Sequence, residues 1–279
     1  MSKYIFLFLV KSFFCYFDLG FCLKFEIIKL YMKLIFKPIL KYYLKLIAKL
    51  VLVIYRPKII VVAGSVNKTF VRDEIRRALE KAGKSVRANP RNFNTEIGLP
   101  LAILNISSGY GSYREWRPVI GKAFRAIWQK NYPDYLVLEL GVSSAGDMRY
   151  LLSIVAPEIS VVTDITQRYL ESFPSMNDLV AEYIYLAKKT KKNGAVILNG
   201  DNLRVKELTK KAIAPVQYFG ETCEKEDDWR IVGIERTGVG QVVEIRHKEK
   251  TETFDVPRFG RHHAFALAAA LAVDTIINK

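Results

Sequence analysis

The chain has 279 residues, half of them apolar, which is enough to bury a substantial core and excludes a disordered tail. Its net charge of +15 is uneven: from Met1 to Pro57 nine lysines and one arginine face only Asp18 and Glu26, so this first fifth carries +8 and the other 222 residues +7. That distribution excludes a basic stripe interleaved with base-stacking aromatics, so no nucleic acid is expected as a partner, and Cys15, Cys22 and Cys223, with no metal spacing, suit free thiols in a reducing compartment.

The N-terminal segment opens with two apolar runs, Tyr4–Val10 and Ser12–Leu23, broken by Lys11 and Asp18. Both are shorter than the about 20 apolar residues a spanning helix needs, and no small-residue cleavage site follows them. From there Lys29, Lys33, Lys37, Lys41, Lys45 and Lys49 recur every fourth residue, with apolar residues filling almost everything between. Such spacing predicts an amphipathic helix, started or kinked at Pro38, whose lysine stems snorkel while their ammonium groups meet anionic headgroups. Residues 29–56 are thus expected to hold a cytoplasmic protein to the inner face of the cell membrane, an anionic surface. The alternative is that the same helix packs on the globular domain or on a second copy. Arg56-Pro57 closes the segment, so the expected division is 1–56 and 57–279.

The stretch Ile59–Thr69, IIVVAGSVNKT, reads as a buried strand, a tight turn and the start of a helix whose apolar face carries Ile75, Ala78, Leu79 and Ala82. Strand, loop and helix in that order make a phosphate site: the backbone N–H groups of Gly64, Ser65, Val66 and Asn67 converge with the positive helix end on an anion. Lys68 reaches the outer phosphates and the Thr69 hydroxyl reaches Mg²⁺. Asn67 stands where a generic phosphate loop has glycine, and Val62 where it has its first glycine; asparagine tolerates a left-handed backbone, so the loop can still form. An ordinary strand-to-helix turn is the competing interpretation.

Gly83 ends that helix and Ser85–Ala88 reads as a short strand, followed by a polar loop, Asn89–Pro100, that runs into a helix. Tyr113–Lys130 reads as a further helix with Trp116, Ile120, Phe124, Ile127 and Trp128 at helical spacing, expected in the core. Asp134–Leu140 is a buried strand whose one late acid, Glu139, sits at its carboxyl end, where an open parallel sheet binds ligands; it can hold Mg²⁺ or cap the following helix. Strands at Glu158–Ile165, Ala195–Leu198 and Val216–Phe219 alternate with helices at Ser175–Lys191 and Asn202–Ala212. Trp229–Val256 then changes to short alternating strands, and an alanine-rich helix closes the chain. The predicted fold is α/β: a phosphate-loop, doubly wound, mostly parallel sheet with helices on both faces and a small antiparallel appendage, preceded by the N-terminal amphipathic helix.

Taken together, AGSVNKT, NFNTEIGLP, the strand ending LELG, VVTDITQRYLESFPS, ILNGDN and FGRHHAFALAAALAV resemble, in this order, the central ATP-binding domain of the Mur ligases over about residues 57–279. The likeness is greatest to the ligase that adds D-alanyl-D-alanine. The resemblance implies an ATP-dependent acid–amino acid ligase of peptidoglycan precursor synthesis, in which ATP phosphorylates a substrate carboxylate and an amine attacks the acyl phosphate. It implies ATP and Mg²⁺ as cofactors and a UDP-linked or other carboxylate as substrate. Lys68 would hold the β and γ phosphates, Thr69 and Glu139 the Mg²⁺, Asn94, Thr95 and Glu96 would face the reacting groups, and His262 would lie near the base and ribose.

The departures point the other way. Phe70 replaces the usual threonine, Tyr169 stands for the family's histidine ligand to a second metal, Tyr183 for its often carbamylated lysine, and His263 and Ala266 for two asparagines. A tyrosine with its ordinary pKa of about 10 replaces neither an imidazole nor a carbamate as a Mg²⁺ ligand. The chain also stops where the family's C-terminal domain is expected, which the resemblance implies would come from a separate polypeptide. Two functions follow: an ATP-dependent ligase with impaired chemistry, or a catalytically inactive, membrane-tethered homologue that serves as scaffold or regulator in envelope synthesis.

Overall fold

A computed structural model describes residues 36–109 and 113–278. The apolar runs before residue 36, with Cys15, Cys22, Lys29 and Lys33, lie outside the described residues. The chain divides between Tyr43 and Leu44 into two units, and the larger, Leu44–Lys279, carries the sheet. Helix α1 (residues 36–55) crosses that division. Within the larger unit its residues Leu44, Ile47, Ala48 and Val51 are buried at 3-1-3 spacing, one face of a helix. Lys45, a member of the lysine stripe, turns back onto the domain: its Nζ donates to Ser153 Oγ at 2.6 Å and lies 4.8 Å above the Tyr150 ring. The end of this helix therefore packs on the globular unit, as the alternative to lipid attachment has it. Among the described residues no helix is long and apolar enough to cross a membrane.

The remaining elements follow the expected alternation. Strand β1 (Lys58–Ala63) leads into α2 (Lys68–Lys81), then β2 (Val86–Ala88), α3 (Gly98–Leu104), α4 (Tyr113–Arg125) with a 3₁₀ turn at Ala126–Trp128, and β3 (Tyr135–Glu139). Next come α5 (Asp147–Leu152), β4 (Ile159–Val162), α6 (Met176–Lys189) and β5 (Ala195–Asn199). They are followed by α7 (Leu203–Lys206), β6 (Val216–Gly220), the strands β7 (Trp229–Arg236), β8 (Gln241–His247) and β9 (Lys250–Val256), and α8 (Arg261–Ile277). Gly83 closes α2 as its left-handed backbone allows, at φ 74°, with the Lys84 N–H returning to the Leu79 carbonyl. The stretch Asn202–Ala212, expected as one helix, is instead α7 and a 3₁₀ turn at Glu207–Lys211.

All nine strands form one sheet in the order β2-β3-β1-β4-β5-β6-β7-β8-β9. The pairs from β2 to β7 are parallel, and the β7-β8-β9 meander is antiparallel but continues the sheet through Phe219↔Trp229 and Gly220↔Arg230. Because β1 lies between β3 and β4, the chain winds away from it in both directions, and a crevice opens above its carboxyl end. Val62 pairs with Glu139 on one side and with Val161 on the other. The loop after β1 is therefore set between the ends of β3 and β4.

One face of the sheet buries Ile60, Val62, Val137 and Val161 under Val71, Ile75 and Leu79 of α2 and the alanines of α8, whose small side chains let the two helices pack closely. Ala82, expected on that face, is the C-cap residue after α2 and is exposed. In α4 the inward stripe is Trp116, Val119, Ala123 and the following Ala126. The expectation that Phe124 and Trp128 join this core is overturned: they are 53% and 66% exposed. Phe124 falls off the inward stripe, and the tighter 3₁₀ turn leaves Trp128 facing out.

Candidate functional site

The loop between β1 and α2 is held from the β4 side. Ser65 N–H donates to the Asp164 carbonyl at 2.6 Å, Val66 and Asp164 form an antiparallel bridge, and the Thr163 hydroxyl donates to the Val66 carbonyl at 2.6 Å. Gly64 sits at φ 141°, and a Cβ there would overlap Thr163 Oγ1. Asn67 adopts the left-handed backbone, φ 63°, at the N-cap of α2, and its side chain hydrogen-bonds the Asp164 carboxylate instead of capping the helix. The strain of a non-glycine at this position is thus offset by a tertiary bond. The first N–H groups of α2 have no intrahelical acceptor and point, with the helix dipole, into the crevice.

Lys68 is buried, and its Nζ donates to the Gly64 carbonyl at 2.8 Å. Burial pushes its ammonium below the ordinary value, Glu139 pulls it back up, and Arg168 adds to the lowering. Beside it, Thr69 Oγ1 donates to Glu139 Oε2 at 2.9 Å, Asn94 Nδ2 donates to Oε1 at 2.8 Å, and Arg72 Nη1 approaches Oε2 at 3.4 Å. Asn89 clamps the backbone of Glu139 from both sides, accepting from its N–H at 2.8 Å and donating to its carbonyl at 3.0 Å. Glu139 does not cap α5: the N–H groups of Gly146 and Met148 at the start of that helix donate to the Glu182 carboxylate, at 2.8 Å each.

The spacing of Thr69 and Glu139 fits a small hard cation. Adjacent oxygens around an octahedral Mg²⁺ at about 2.1 Å are about 3 Å apart, close to the 2.9 Å between this hydroxyl and carboxylate. Tyr183 is fully buried in α6. Among the described residues no group of three or more His, Cys, Asp or Glu is placed to hold a metal.

Behind the loop, Asp164 collects two side chains from the end of β5. Asn199 Nδ2 donates to its Oδ1 at 3.0 Å and Asn202 Nδ2 at 3.5 Å. Burial raises its pKa, hydrogen bonds from Asn202 and Asn67 lower it, and Asp201 raises it. A carboxylate whose folded pKa is raised binds protons more readily folded than unfolded, so its contribution weakens as pH rises above the ordinary carboxylate range. We expect Asp164→Asn, which keeps the accepting oxygen, to raise the melting temperature at pH 7 and flatten its pH dependence above pH 4; a lower melting temperature at pH 7 would contradict this.

The structure thus brings Gly64, Ser65, Val66, Asn67, Lys68, Thr69, Glu139 and Asn94 into one crevice. Thr95 accepts from the Leu99 N–H to start α3, with Glu96 half-buried beside it in the same loop. His262 reaches the rim at the start of α8, its ring 4.3 Å from that of Phe70 and 4.3 Å from His263, whose pKa burial lowers. Arg72, Asn89, Asp164 and Asn199 were not singled out from the sequence. The available signal was positional, since Asn89, Asp164 and Asn199 all lie at carboxyl ends of predicted strands.

The family described as Mur ligase middle domain matches residues 62–273. The UDP-N-acetylmuramoyl-tripeptide–D-alanyl-D-alanine ligase of Haemophilus influenzae is 23% identical over 224 residues, covering 78% of this chain and 42% of its own length. Its Bacillus subtilis counterpart is 24% identical over 222 residues, covering 77% and 40%. The crystal structure of MurF ligase from Thermotoga maritima in complex with ADP superposes with a TM-score of 0.69 at 22% identity, over 86% of this chain and 50% of that one. A MurF structure from Acinetobacter baumannii gives 0.65 at 17% identity, over 86% and 46%. The chain spans about half the length of these proteins or less, and the structural likeness is one of fold.

Proposed function

We propose a function on one premise: this chain belongs to the Mur ligase family. On that premise it is the ATP-binding part of an ATP-dependent acid–amino acid ligase related to those of peptidoglycan precursor synthesis. The observation that carries the reading is the Thr69 hydroxyl 2.9 Å from Glu139, at the ends of β1 and β3 and beside the buried Lys68. When nucleotide enters, the N–H groups of the loop and of the first turn of α2 bind its phosphates. Lys68 leaves the Gly64 carbonyl for the β and γ oxygens, exchanging a neutral acceptor for an ionic one. Thr69 and Glu139 would hold Mg²⁺, which supplies charge neutralisation on the transferring phosphoryl group when bound. Asn94 orients Glu139 through Oε1, and on this reading its loop, with Thr95 and Glu96, would face a UDP-linked or other carboxylate as it is phosphorylated.

Calorimetry of ATP on the full chain, with Mg²⁺ and with EDTA, tests this reading. Micromolar binding is expected, strengthened about tenfold or more by Mg²⁺, with that increment lost in Glu139→Gln and the EDTA affinity retained. An increment that survives in Glu139→Gln would refute the metal assignment, and no binding at all would refute the reading.

A second reading is favoured by the burial of Tyr183. With a phenol packed in the core where a second metal ligand would stand, the chain binds nucleotide without completing amide synthesis and acts as a membrane-tethered scaffold or regulator in envelope synthesis. The lysine-rich composition before Pro57 supports attachment to an anionic membrane surface.

A further inference from the structure

We propose that the globular unit carries its own lipid-docking face, formed by the outer side of α1 and the end of α4, which seats the domain against an anionic bilayer. This rests on the membrane-attachment reading and extends it from the N-terminal segment to the folded domain.

From Leu44 onward α1 is apolar on two sides. Leu44, Ile47, Ala48 and Val51 face the domain, whereas Leu46, Leu50, Val53 and Ile54 are exposed within an arc of about 100° on the opposite side. A helix seated on a soluble domain ordinarily turns polar residues to water on its outer face. Here the outer face is aliphatic, flanked by the exposed Lys49.

A second apolar outcrop lies at the turn that meets the end of this helix. Phe124 and Trp128 are exposed and meet edge to face with ring centres 5.2 Å apart. Tyr55, the last residue of α1, donates from its hydroxyl to the Ile127 carbonyl at 3.0 Å and the Gln129 carbonyl at 2.8 Å, on either side of Trp128. It also stacks on Tyr132 at 4.6 Å. The turn that presents Trp128 is therefore fixed, through Tyr55, to the end of the helix that presents Val53 and Ile54.

The charges around this surface select its occupant. Arg117, Lys122, Arg125 and Lys130 are exposed on the α4 side and Lys49 and Arg56 on the α1 side. The sequence has no acid between Leu44 and Lys58 or between Trp116 and Pro133. Two copies meeting through this face would set like charges against each other, whereas an anionic leaflet offers the opposite sign. Tryptophan and phenylalanine amid arginine and lysine match the headgroup boundary, where the rings sit shallowly and the cations snorkel to phosphates.

Tryptophan emission gives a direct test, because Trp116 and Trp229 are buried and leave Trp128 as the reporter among the three tryptophans. With the full chain, vesicles containing phosphatidylglycerol should shift the emission to the blue, brominated lipid should quench it, and pure phosphatidylcholine should do neither. In flotation, Phe124→Ser/Trp128→Ser should keep the melting temperature and lose about tenfold in vesicle affinity, and Arg125→Glu/Lys130→Glu should lose affinity for phosphatidylglycerol vesicles without touching an apolar residue. If Lys29→Glu/Lys33→Glu/Lys37→Glu abolishes flotation while both surface variants float like the parent, attachment stands and the docking face is refuted. If the parent chain does not float, both fall. A parent chain that is dimeric without lipid, and monomeric as the Phe124→Ser/Trp128→Ser variant, would assign the face to a second copy and overturn the proposal.

Discussion

Lys68→Ala is expected to weaken ATP binding by about two orders of magnitude, about 3 kcal/mol, while leaving the melting temperature of the nucleotide-free protein unchanged or higher. The two halves have one cause. Lys68 is buried, its Nζ donates to the neutral Gly64 carbonyl, and burial pushes its pKa below the ordinary value. A lowered lysine pKa means that the fold disfavours the charge, so at any pH below the folded pKa the ammonium costs stability, and its removal relieves that cost. The same charge, only partly offset by Glu139, is what a triphosphate meets on entering. Functional sites are commonly held at the expense of stability in this way. Titration by calorimetry and a thermal melt on the same preparations check both halves; a variant that binds ATP like the parent, or that melts well below it, would contradict the argument.

Gly64→Ala should be the most damaging single substitution in the loop. Its φ of 141° is open to glycine and strained for any other residue, and the added methyl would overlap Thr163 Oγ1 and crowd the backbone of Asp164. Strain of about 1–3 kcal/mol combined with the steric overlap gives a loss of about 3 kcal/mol, or roughly 10 °C in melting temperature for a domain of this size. Nucleotide binding should disappear with it, because Ser65 and Val66 take their positions from the same Asp164 segment. Thr163→Ala removes the overlapping hydroxyl. In that background Gly64→Ala should cost at least about 1 kcal/mol less than it does alone, a coupling that a double-mutant cycle by chemical denaturation would measure. Additive costs would show that backbone strain alone accounts for the effect.

Among the substitutions that separate this loop from a generic phosphate loop, the structure explains Asn67 most fully. Its side chain meets Asp164, which is itself held by Asn199 and Asn202 from the neighbouring strand end, so the left-handed residue is part of a network. Phe70 likewise has neighbours, the rings of His262 and His263. Arg72 brings a fixed positive charge to the carboxylate that would hold Mg²⁺.

What the sequence determined by itself was whatever is written in adjacent residues. Four β-branched or aliphatic residues before Gly64, the Asn-Lys-Thr that follows, and the periodicity of α2 are local patterns, and local patterns suffice to specify a strand, a phosphate loop and a helix. Alternation repeated along the chain specified a parallel α/β sheet, and that in turn marked Glu139 at a strand's carboxyl end. Tertiary structure alone decided the pairings across long separations: Arg72 and Thr69 on Glu139, Asn89 on the backbone of Glu139, Asp164 on the phosphate loop. It also decided which side of an apolar helix is inside. In α1 and α4 the sequence places hydrophobic residues around more than one face, so periodicity predicts a helix and cannot choose its buried side; the choice falls to the neighbours, which cover Val51 and Trp116 and leave Val53 and Trp128 in water.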